Sequence, residues 1–126
     1  MSVVLDASAL LAYLQAEPGS DEIEAVLDGA AMCTVNRAEV IQKAKAAEVE
    51  TATLRADLEA LGLELAPFTS SQAEIAAELW QSTRDIGLSL GDRACLALGL
   101  DTHRPTFTTD RAWQQINVGV KIKLIR

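Results

Sequence analysis

Residues 3–14 read VVLDASALLAYL: a short apolar run, a single aspartate at Asp6, and then apolar residues at helical spacing. A buried strand that ends in an acid and passes almost at once into a helix is the opening unit of an α/β sheet. The strand falls at residues 2–6 and the helix at 8–16, ended by Pro18 and Gly19.

Outward from this unit the alternation continues. Residues 20–27 form a capped helix with Ile23, Val26 and Leu27 inward and Gly29 as its stop, and 30–34 is a second strand. The spacing predicts helices over 35–47 and 51–61, packed as an antiparallel pair, then a third strand at 63–67. A long helix over 70–86 ends at Gly87, and a helix over 92–100 is apolar almost all round, as suits an element covered on both sides. Residues 104–109 and 118–125 supply the last strands. The sum is a three-layer α/β domain spanning 1–126, with a mostly parallel central sheet of four to five strands and helices on both faces.

Composition narrows the function. With 49% hydrophobic and 23% charged residues in 126, the chain is expected to fold as one globular domain. It has no apolar run of the roughly 18 residues a membrane span needs. Asp6 also falls where a secretory signal would be apolar, so no leader is expected. Cys33 and Cys95 lie in apolar surroundings, which predicts buried free thiols and a reducing cytoplasmic setting. The net charge of −7 excludes attraction to nucleic acid by the molecule as a whole. Any polyanion must meet a local basic patch or a bound cation.

In an open parallel sheet the ligand site lies beyond the carboxyl ends of the strands. Asp6 closes the first strand, Glu39 lies one turn into the helix after Thr34, and Asp110 closes the fourth strand, while Asp92 opens a helix. Each acid has a simpler explanation as a helix N-terminal residue: Asp92 suits an N-cap, and Asn36 with Glu39 fits a capping box. Taken together, four carboxylates brought to one sheet edge cannot all stay ionised without a cation. The hard oxygen donors suit Mg²⁺ or Mn²⁺, and no His or Cys cluster argues for zinc. His103, the sole histidine, reads as a solvated turn residue.

Four blocks now stand in order: VVLDASALLAYL, TVNRAEV (34–40), LSLGDRACLALG (88–99) and TFTTDRAW (106–113). In order, spacing and chain size they resemble the PIN-domain ribonucleases, especially the VapC-like toxins of type II toxin–antitoxin pairs. The resemblance implies that Asp6, Glu39, Asp92 and Asp110 are the acidic quartet, Asp110 being its most variable member. It makes Ser8, Thr34, Asn36 and Thr109 the hydrogen-bond partners that orient them. It further implies hydrolysis of RNA phosphodiester bonds at a carboxylate-held Mg²⁺ or Mn²⁺, leaving 5′-phosphate and 3′-hydroxyl ends. A homodimer silenced by a cognate VapB-like antitoxin completes that expectation. The chain departs from the family pattern at Arg93, where a small residue is usual, and at Trp113, which replaces a smaller aromatic; both bear on substrate fit.

Arg37, Arg93 and Arg111 each lie within two residues of an acid and are candidates for a phosphate-binding rim. Lys121 and Lys123 read instead as solvent-facing residues of an edge strand. Leu10, Leu11, Tyr13, Leu14 and Trp80 are candidates for an apolar partner surface where core packing does not claim them. Three other readings compete: a PIN nuclease of RNA processing without an antitoxin, a phosphoryl-transfer domain with Asp6 as acceptor, and a non-catalytic binding module whose acids only cap helices. Against the second, Ser8 stands where a receiver-like or dehalogenase-like site needs another Asp.

Overall fold

The computed structural model describes residues 2–126. Five strands, β1 (Val4–Leu5), β2 (Ala31–Cys33), β3 (Glu64–Ala66), β4 (Thr106–Thr108) and β5 (Ile122–Leu124), form one sheet in the order β3-β2-β1-β4-β5. Every pairing is parallel. The first strand is therefore central. The chain builds outward on one side through β2 and β3, then returns to the other side of β1 for β4 and β5.

Period-two alternation along these short strands feeds two cores. Leu5, Met32 and Phe107 face one layer, where α1 (Ala7–Leu14) brings Leu10, α2 (Ser20–Val26) brings Ile23, and α4 (Leu54–Ala60) brings Leu58. Val4, Ala31 and Cys33 face the other, covered by α5 (Ser70–Thr83) and α6 (Leu90–Thr102). This is the expected three-layer arrangement. Helix α3 (Thr34–Ala46) spans both layers, with Val40 in the first core and Val35 against the second. Its close backbone approaches are to α6 and α1. The antiparallel pairing of α3 with α4 is thus corrected: α4 follows a non-helical segment and uses its single apolar stripe on the first core. Among the described residues, no helix is long and apolar enough to cross a membrane.

The α6 sequence reads as buried on every side, and residues 94–99 are indeed buried. Its start is two residues earlier than expected because Ser89, not Asp92, is the N-cap; Asp92 is the third helical residue, and the two form a reciprocal capping box. Its end is a left-handed turn at His103, φ 55°, which leaves that side chain exposed as predicted. A 3₁₀ turn at Arg84–Ile86 extends α5 to Gly87. A second, at Arg111–Gln115, was not foreseen and carries Trp113, which is fully buried in the second core and so does not meet substrate.

Gly99 lets α6 lie directly on the sheet: a Cβ there would stand 2.5 Å from Thr106 Oγ1 and 3.0 Å from Val120 Cγ2. Thr106 is fully buried and has no room to yield. Gly99→Ala is expected to lower stability by about 1–3 kcal/mol, as overpacked cores do. A urea midpoint equal to the wild type would show that α6 is not seated this tightly.

Candidate active site

The direction of chain progression reverses at β1 and β4, so the crevice of the sheet opens between their carboxyl ends. Asp6 follows β1 there and Asp110 follows β4 closely. Asp6 is only 4% exposed. Its Oδ1 accepts the Ala9 N–H at 2.8 Å, as the N-cap of α1, and the Ser8 hydroxyl at 2.7 Å. Its Oδ2 accepts the Thr108 hydroxyl at 2.6 Å.

Those three bonds favour the ionised carboxylate, yet burial outweighs them and, with the nearby charge of Asp92, raises the Asp6 pKa to about 6. The helix-cap explanation is correct for this residue and incomplete. A cap alone needs one oxygen and some solvent; Asp6 has almost no solvent and a like charge beside it.

Glu39 reaches α6 from α3. Asn36 Nδ2 donates to Glu39 Oε1 at 2.8 Å and to the Gly91 carbonyl at 3.0 Å, tying the two helices together. The expected Asn36–Glu39 capping box is replaced by this bridge, because α3 begins at Thr34 and its N-cap position is Cys33. Gly91 was missed by the sequence reading. A Cβ on it would meet both Glu39 carboxylate oxygens at 2.7 Å, so a side chain here would push the acid from its place. The signal was a glycine in the first turn of a helix, next to an acid.

Asp92 accepts the Ser89 N–H at 2.9 Å and raises the Asp6 pKa by its charge. Beneath these groups lies Cys95, whose thiol is pushed well up, first by burial and then by the charges of Asp6, Cys33, Asp92 and Glu39. Both cysteines are free and buried, as expected. Asp6, Asp92 and Glu39 thus share one electrostatic neighbourhood. Asp110 joins it through Thr108: its N–H donates to Thr108 Oγ1 at 3.0 Å, while its own carboxylate accepts from Ala112 N–H at 2.9 Å and is exposed. Among the described residues, no three acids, histidines or cysteines come together as a formed metal cluster.

The supporting residues divide differently from expectation. Ser8 and Asn36 hold carboxylates. Thr34 does not: its hydroxyl accepts the Phe68 N–H at 3.1 Å and anchors the segment after β3. Thr109 contributes its backbone N–H to Ser8 Oγ at 3.0 Å, and the hydroxyl that bonds Asp6 belongs to Thr108, which alternation turns toward the crevice. Arg93 donates to the Ala76 carbonyl at 2.8 Å and so links α6 to α5. Arg37 is partly buried, with Nε unpartnered, and Arg111 is exposed.

An all-parallel sheet with Asp6 and Asp110 after the two strands of its switch point, and Glu39 and Asp92 on the helices that flank it, defines an α/β domain with an acidic crevice. A family model described as the PIN domain matches residues 3–119, and the chain belongs to that family. No curated protein matches it in sequence. Among solved structures it is similar to a toxin–antitoxin complex from Klebsiella pneumoniae, at 19% identity over 90% of this chain and 92% of that one, TM-score 0.73. It is similar also to a DNA-bound VapBC from Salmonella typhimurium, at 16% identity over 100% and 99%, TM-score 0.72. A third is VapBC-1 from nontypeable Haemophilus influenzae, at 15% over 98% of each chain, TM-score 0.73.

Without metal, the raised Asp6 pKa has a sign that can be measured. Below about pH 4 the carboxyl is neutral in both folded and unfolded chains. As pH rises through 6, the unfolded chain has already ionised while the folded one resists, so stability is lost. In chelator, the stability of Asp6→Asn relative to wild type is expected to improve by about 2–3 kcal/mol between pH 4 and 7.5. A flat difference in denaturation midpoints over that range would show Asp6 to be solvated.

Proposed function

We propose that this chain is a metal-dependent endoribonuclease, a VapC-like toxin held inactive by a cognate VapB-like antitoxin. The observation that carries the reading is the buried Asp6 at the switch point of the sheet, its pKa raised first by burial and further by the charge of Asp92, with Glu39 positioned from a third element. Membership of the PIN family supports nuclease chemistry, and the similar structures named above are titled as toxin–antitoxin or VapBC structures.

The donor set fits a hard divalent cation: every candidate is a carboxylate oxygen, and the like-charge conflict at Asp6 is relieved by positive charge. Asp6, Asp92, Glu39 and Asp110 would hold it. A bound Mg²⁺ or Mn²⁺ supplies Lewis-acid stabilisation of the scissile phosphate and lowers the pKa of water. The remaining work belongs to the chain. Ser8, Thr108 and the Ala9 N–H fix the Asp6 carboxylate, so little reorganisation is needed during reaction. Asn36 and the bare Cα of Gly91 set where Glu39 stands. Asp110, exposed beside Asp6, completes the crevice, and Arg37 and Arg111 receive flanking phosphates.

The antitoxin part of the reading has its own support. An apolar groove of about 270 Å³ runs between α1, α3 and the segment before α4, lined by Leu11, Leu14, Val40, Val49 and Leu54. Leu14 and Val49 are exposed there, whereas Leu10 belongs to the core. An amphipathic partner segment suits such a surface. A homodimer, a cytoplasmic location and RNA as substrate belong to the same proposal.

Calorimetry with Mn²⁺ and cleavage of single-stranded RNA test it in the same samples. Wild type is expected to bind saturably and cleave, Asp6→Asn and Asp92→Asn to do neither. Gly91→Ala is expected to displace Glu39, keep its unfolding free energy within about 1 kcal/mol, and lose about tenfold or more in Mn²⁺ affinity. Expression of the wild type alone should arrest a bacterial host, and Asp92→Asn should not. Wild-type metal binding indistinguishable from the variants would return the acids to helix capping.

A further inference from the structure

We propose that the protein carries a second ligand site, remote from the acids, which takes the phosphate of a nucleotide. A cavity of about 470 Å³ opens between the carboxyl end of α6 and the segment that leads into β5. Because every strand pairing is parallel, the amino ends of β4 and β5 lie at the sheet edge opposite Asp6 and Asp110. The cavity is therefore not an extension of the acidic crevice.

Its chemistry is opposite in sign to the rest of the chain. His103, Arg104 and Lys121 line it, no carboxylate does, and among the described residues none of the three has an ion-pair partner. In a chain of net charge −7 this is a concentrated basic rim. Its floor is apolar, formed by Leu100, Pro105 and Val120. Gly119, at φ +92°, allows the left-handed turn beside the floor, 3.7 Å from Leu100 at its Cβ position.

The end of a helix normally repels an anion, because its last carbonyls are free. Here the turn that ends α6 occupies two of them: the Arg104 N–H donates to the Gly99 carbonyl at 3.0 Å, and the His103 N–H to the Leu100 carbonyl at 3.4 Å. The same left-handed turn brings His103 into the lining. The guanidinium fork and the ammonium point charge suit phosphate oxygens. A flat apolar floor beside them suits a base, and the volume falls within the roughly 300–1,000 Å³ of small-molecule sites. An acidic peptide would use the rim and leave the floor bare. The phosphate could belong to a free mononucleotide or to the end of an RNA strand, and neither source requires the nuclease reading to hold.

The test is calorimetry with amide chemical-shift mapping of the full chain in EDTA, using adenosine 5′-monophosphate as probe. Saturable binding is expected, with shifts at Gly99 and Gly119. Arg104→Ser/Lys121→Ser should keep its urea midpoint and weaken binding by about tenfold or more, and adenosine without phosphate should be weaker by a similar factor. A 5′-phosphorylated RNA tetranucleotide separates the sources: tighter binding than the mononucleotide assigns the site to RNA ends, weaker binding to free nucleotides. No saturation, equal affinity in the double variant, shifts confined to residues 6, 39 and 92, or preference for a glutamate peptide would each overturn the proposal.

Discussion

Asp6 gives up nearly all of its water at the end of the central strand, and three donors from different parts of the chain replace it. The Ala9 N–H and the Ser8 hydroxyl come from the first turn of α1, and the Thr108 hydroxyl from β4. A buried carboxylate without such partners would cost several kcal/mol. The sheet order, the entry angle of α1 and the pairing of β1 with β4 must all agree for these bonds to form. The crevice is thus a consequence of the same geometry that joins the two halves of the sheet.

Helix α6 is the second element under tight constraint. It meets the Glu39 side chain of α3 at Gly91 and the Thr106 side chain of β4 at Gly99, and at both points has no side chain of its own in the way. Between these points every residue from Ala94 to Leu98 is buried. A slide or rotation of the helix would disturb both of these contacts and the buried face between them. Asp92 and the Glu39 contact are held at one end of a rigid body, and the basic cavity is held at the other.

Much of this was legible in the sequence because the signals were local. Strand, acid and helix follow one another within residues 3–14, and apolar runs of strand length alternate with helical spacing throughout. Asp6 and Asp110 stood out for the same reason, each following the end of a strand, and Asp92 lies in the first turn of its helix. What escaped was non-local. Thr108 and Thr109 differ only in which way the strand turns them, and a one-residue change of phase moves a side chain to the other face. The bridge from Asn36 to Gly91 joins two helices that are distant in sequence, and Arg93 meets a carbonyl of α5 that no spacing announces. The predicted α3–α4 pairing failed because adjacency along the chain was taken for adjacency in space, while the sheet edge gave α3 better neighbours.

The Asp6–Thr108 bond also fixes when the molecule becomes whole. The central strand is made before its neighbours, and the hydroxyl that completes the pocket of its acid arrives 102 residues later. Until then β1 has a free edge, Asp6 remains hydrated, and the neighbours that set its charge are not all in place. A closure this far apart in sequence is late in folding. A nascent chain carrying the first three strands has Asp6 and Glu39 but no crevice around them. Synthesis itself therefore withholds the closed pocket of Asp6 until β4 has been made.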